Sequence, residues 1–186
     1  INIINKSINM VSVKNNQVLF EDVSGLNDAL FDADNYYNGC FVNFSNVSGV
    51  SNLFFNSIVV EGNRVENLPS KLVSLIPYSA IKEMIVRNNE IINPFRRKMT
   101  QALINGGLIA FTSTLKKLNL MDVSQNRVAY PYASDFYGAV FLTTSVTNLG
   151  ESAILKLTDN VCFKPCYGLL HETGASSPFK YKVIRE

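Results

Sequence analysis

The sequence predicts an all-β fold, a solenoid of about five stacked parallel coils with three short strands per coil and loop insertions. Three observations predict it: an asparagine that recurs in five superposable segments, apolar columns at constant offsets from it, and a Gly-led apolar run that follows it at a variable distance.

The shared residue is Asn16, Asn63, Asn89, Asn126 and Asn160. Three residues earlier stand Val13, Val60, Val86, Val123 and Leu157, and five earlier stand Val11, Ile58, Met84, Met121 and Leu155. Two residues later come Val18, Val65, Ile91, Val128 and Cys162. Eight residues earlier stand Ile8, Phe55, Ile81 and Leu118, with Ser152 the exception. Spacings of two put side chains on one face of a strand, so each segment reads as two short strands with that face turned inward. Between them the chain turns sharply. Asn tolerates the left-handed backbone region better than most residues, so the recurring Asn is expected to adopt it. Stacked amides can also hydrogen-bond as a ladder, replacing water for polar groups the stack buries.

The third strand of each coil is Gly39-Cys40-Phe41-Val42, Leu72-Val73-Ser74-Leu75, Gly107-Leu108-Ile109-Ala110, Gly138-Ala139-Val140-Phe141 and Gly168-Leu169-Leu170. Unequal spacing between successive Asn residues is carried by the loops before these strands, as insertions on one face of a solenoid should be. Helical spacing is weak, and residues 25–33 and 94–105 are the places where short helices or irregular turns would fit. The coils are expected to occupy residues 1–175 and to continue upstream in a longer parent chain. Residues 176–186, with Phe179, Tyr181 and Val183 on one face, read as a C-terminal capping strand.

Composition narrows the partners. Of 186 residues, 47% are hydrophobic, which excludes a disordered tail. The formal charge of +2 is scattered singly, so no basic stripe suggests nucleic acid. No apolar run is long enough for membrane insertion, and no signal-peptide layout opens the chain. Cys40, Cys162 and Cys166 form no CxxC pair, and His171 is the single histidine. No metal site and no cofactor are expected. The Asp32-Ala-Asp34-Asn35 run lacks the spacing of an EF-hand calcium loop.

The pattern resembles the right-handed parallel β-helix (pectin-lyase-like) superfamily typified by pectate lyases and phage tailspikes, whose coils carry three strands and an Asn-favouring turn. The resemblance covers residues 1 to about 175 and implies the right-handed winding, which also follows the general rule for parallel crossovers. That fold carries lyases, hydrolases, adhesins and viral spikes, so it implies architecture far more than chemistry. The catalytic signatures of pectin hydrolases and the arginine pattern of pectate lyases are absent.

Charges beside the corner alternate in sign from coil to coil. Lys14, Glu61 and Arg87 share one column, Arg64, Glu90 and Arg127 another, and Asp122 faces Lys156. They read as ion-pair ladders worth at most about 1 kcal/mol per pair. Glycoside hydrolysis needs two carboxylates about 5 to 9.5 Å apart, and no column offers adjacent acids. The loops are more suggestive. Asp32 and Asp34 lie beside Tyr36 and Tyr37, and Tyr130, Tyr132 and Tyr137 occupy a later loop. A tyrosine ring presents an apolar face with a polar tip, which matches a pyranose. These five tyrosines are the candidate carbohydrate contacts, and Asp32, Asp34 and Glu172 the candidate catalytic acids.

The expected function is the β-helical segment of a phage tailspike-like receptor-binding protein. The resemblance implies a homotrimer on the virion tail, or otherwise at an extracellular surface, that engages bacterial surface polysaccharide and could also depolymerise it. Two alternatives stand beside it: a bacterial pectin-lyase-like carbohydrate-active enzyme, hydrolase or lyase, and a purely structural or adhesive solenoid.

Overall fold

A computed structural model describes residues 1–4, 7–20, 41–45, 53–68, 72–75, 79–92, 109–111, 117–129, 140–142, 153–162, 170–172 and 182–185. Every regular element among them is a strand. In chain order these are β1 Asn2–Ile4, β2 Ile8–Lys14, β3 Gln17–Leu19, β4 Val42–Ser45, β5 Leu53–Glu61, β6 Arg64–Glu66, β7 Val73–Leu75, β8 Ser79–Arg87 and β9 Glu90–Ile92. They continue as β10 Ile109–Phe111, β11 Lys117–Ser124, β12 Arg127–Ala129, β13 Val140–Leu142, β14 Ile154–Thr158, β15 Val161–Cys162, β16 Leu170–Glu172 and β17 Lys182–Arg185. The segments 25–33 and 94–105, where the sequence allowed helices, lie outside the described residues.

The described residues are all-β, and every pairing among their strands is parallel. Sheet A runs β1-β4-β7-β10-β13-β16, sheet B runs β17-β14-β11-β8-β5-β2, and sheet C runs β15-β12-β9-β6-β3. The chain therefore visits the three sheets in fixed rotation, and each strand pairs with the strand three places earlier and three places later. Registers hold the sequence columns together: Val13↔Val60, Val60↔Val86, Val86↔Val123 and Val123↔Leu157 are direct partners. Val18, Val65, Ile91, Val128 and Cys162 do the same in sheet C.

The core follows from these columns. Ile58, Val60, Met84, Val86, Val65 and Ile91 are fully buried. Phe44 of sheet A meets Phe55 of sheet B edge-on, with ring centroids 5.2 Å apart, so two sheets are joined through the core by aromatic packing. Leu68 and Leu72, on the chain between β6 and β7, are buried with them.

Two features differ from the expectation. The left-handed residue is not the recurring Asn but the residue before it: Asn15, Gly62, Asn88, Gln125 and Asp159 have φ between 53° and 66°. The corner needs two residues, and the first one turns the chain with its side chain directed away from the core. The second is then free to turn its amide inward. The other difference concerns the column eight residues before the Asn, which lies three residues, not two, from the next inward column. In β5 the buried positions run Leu53, Phe55, then Ile58, with Asn56 and Ser57 half-buried between. The same phase shift occurs at Lys82-Glu83 and Asn119-Leu120. Pairing skips Asn56↔Lys82 while the register on either side is unchanged. Two successive residues lie off the core there, and the shift falls at the same register position in β5, β8 and β11.

Candidate functional site

The corner between sheets B and C is always two residues: 15–16, 62–63, 88–89, 125–126 and 159–160. Its second residue is the recurring Asn, and the hydrogen bonds there are repeated from strand to strand. Asn63 Nδ2 donates to Asn89 Oδ1 at 2.9 Å and to Val13 O at 3.0 Å. Asn89 Nδ2 donates to Asn126 Oδ1 and Val60 O, and Asn126 Nδ2 to Asn160 Oδ1 and Val86 O. Each acceptor Oδ1 also receives the backbone N–H of the preceding Asn at 3.1 Å. Asn63, Asn89 and Asn126 thus use both amide hydrogens and both acceptor positions. That complete satisfaction is what lets all three be buried to 1% exposure.

Backbone bonds close the same corner. The left-handed residue donates to the neighbouring strand of sheet B, as in Asn15 N to Glu61 O and Asn88 N to Ser124 O. The residue after each Asn donates back, as in Glu90 N to Asn63 O and Arg127 N to Asn89 O. The ladder side chains are carboxamides, which neither titrate nor act as nucleophiles near neutral pH. Their chemistry is to hold backbone in place.

Outside the corner, charges pair along the stack. Glu61 lies between Lys14 Nζ at 3.0 Å and Arg87 Nε at 2.6 Å. Hydrogen bonds from Lys14 first, and from Arg87 second, hold the Glu61 carboxyl below the usual carboxylate range. Arg64 Nη1 contacts Glu90 Oε2, and Arg127 is the next residue in that register. Lys156 Nζ lies 3.9 Å from Asp122 Oδ2, and Ser57 Oγ donates to Glu83 Oε2 at 3.3 Å. An acid held ionised between two cations is poorly suited to donate a proton near neutral pH, so Glu61 is a structural carboxylate.

Asp32, Asp34, Tyr36, Tyr37, Tyr130, Tyr132 and Tyr137 lie outside the described residues. In chain order the first four fall between β3 and β4 and the last three between β12 and β13, each stretch leading from a sheet C strand to the next sheet A strand. Glu172 is in β16, paired with Leu142, and its neighbour His171 pairs with Phe141. Among the described residues, no group of three or more His, Cys, Asp or Glu could hold a metal ion. No helix among them is long and apolar enough to cross a membrane.

Sequence reading missed two polar features. Ser74 is fully buried on sheet A, next in register to the buried Asn43, although both alternate with the inward Val42, Phe44 and Val73. Both faces of sheet A are shielded there, and Ser74 Oγ has no hydrogen-bond partner among the described residues. A lone Ser or Asn within an apolar run gives no signal that its outer face is covered. A second left-handed residue, Asn67, ends β6 and donates its N–H to Ile92 O and its Nδ2 to Phe20 O. At the same offset from the ladder Asn the other segments carry Phe20, Asn93, Tyr130 and Lys164, a mixed column that does not single it out.

The described residues define an all-β protein built on parallel sheets. Comparison with family models, with curated proteins and with solved structures gave no match.

Proposed function

We propose that the three sheets are the faces of a right-handed parallel β-helix, and that this solenoid is the β-helical segment of a tailspike-like receptor-binding protein. In this reading it works as a homotrimer at a virion tail or extracellular surface and binds bacterial surface polysaccharide. The observation that supports it is the uneven distribution of chain length around the circuit. The corner from sheet B to sheet C never exceeds two residues, whereas the connections from sheet C to sheet A include residues 20–41, 93–108 and 130–139. The two longest connections both leave sheet C for sheet A, while residues 143–153 form a further long connection from sheet A to sheet B; a solenoid whose longest insertions share a corner presents them along one side of a stiff rod. Tyr36, Tyr37, Tyr130, Tyr132 and Tyr137 all belong to the connections from sheet C to sheet A, where aromatic rings suit the apolar faces of sugars. Asp32 and Asp34 share the first of them. Binding is preferred to catalysis because the acids whose pairing is visible are engaged by cations.

Titration of the purified chain with capsular or O-antigen polysaccharides, alongside its solution mass, tests the reading. Binding that falls at least about tenfold in a Tyr36→Ala, Tyr37→Ala variant of unchanged circular dichroism is expected, with a trimeric mass. A monomer that binds no glycan and shortens none would overturn it in favour of a purely structural solenoid.

A further inference from the structure

We draw no further inference here: the strongest candidate, the aliphatic patch on the outer face of sheet B formed by the half-buried Ile85, Leu120 and Ile154, carries nothing because nothing in the structure shows what covers it.

Discussion

Asn89 Nδ2 donates to Asn126 Oδ1 at 2.9 Å across 37 residues of sequence, and neither side chain retains an unused amide hydrogen. Because each amide bridges two neighbouring strands, an inner rung cannot be removed without stranding groups on both sides. That relationship underlies the first prediction.

Asn89→Ala removes the buried hydrogen bonds from Asn63 N–H and Asn63 Nδ2 to Asn89 Oδ1 and those from Asn89 Nδ2 to Asn126 Oδ1 and Val60 O, and leaves the Asn63 N–H without a partner. The loss should reach about 3 kcal/mol or more, at roughly 1 kcal/mol for each lost hydrogen bond. Asn16→Ala, at the exposed end of the ladder, removes bonds that water can replace and should cost about 1 kcal/mol. Urea unfolding of the two variants measures the contrast, and equal losses would show that the ladder contributes no more inside than at its end.

Gly62 is the one glycine among the left-handed corner residues, at φ 66°, and a Cβ there would stand 2.3 Å from Asn15 Oδ1. Gly62→Ala should cost about 1 to 2 kcal/mol through the backbone conformation alone. A further increment comes from pushing the Asn15 side chain aside. In an Asn15→Gly background that increment should vanish while the conformational cost stays. A double-mutant cycle in thermal unfolding isolates it, and a coupling of zero would show that Asn15 moves freely.

Acid should loosen the Lys14–Glu61–Arg87 column. The hydrogen bonds from Lys14 and Arg87 hold the Glu61 carboxyl below its ordinary value, so its stabilisation is complete above that ordinary value and is lost as pH falls through the lower folded one. Wild type should therefore exceed Glu61→Gln in stability at pH 7, and the gap should close on acidification below 4.5. Both cations are 42% exposed, so the gap is small and high salt should narrow it further. Unfolding midpoints against pH for both proteins supply the measurement; parallel curves would refute the pairing.

Met84 and Met10 stand on the same sheet with opposite surroundings, fully buried and 56% exposed. Met84→Ala should cost about 2 to 5 kcal/mol by leaving a cavity among Ile58, Met121 and their neighbours, whereas Met10→Ala should change stability by about 0.5 kcal/mol or less. Chemical denaturation compares them directly. Similar effects would mean that the Met84 face is not the core.

Much of this architecture is readable before any coordinates. Val60, Val86 and Val123 share an offset from an Asn, and equal offsets in a repeating chain become direct partners once strands stack in register. The alternation of Lys14, Glu61 and Arg87 is legible for the same reason, since residues in one column have no other neighbours along the stack. The candidate sugar contacts were chosen by residue type within long connections, where no period constrains position, and they lie outside the described residues.

By itself the sequence determined which side chains face inward, where the tight corner falls and which charges meet, because all three depend only on offsets along the chain. Tertiary structure decided what offsets cannot carry: that Asn15, Gly62, Asn88, Gln125 and Asp159 take the left-handed turn one place before the Asn. It also decided that Ser74 is shielded on the outer side of its sheet. The physical reason is the same in both cases. A backbone angle at a two-residue turn and the cover over a sheet both depend on what neighbouring strands leave room for.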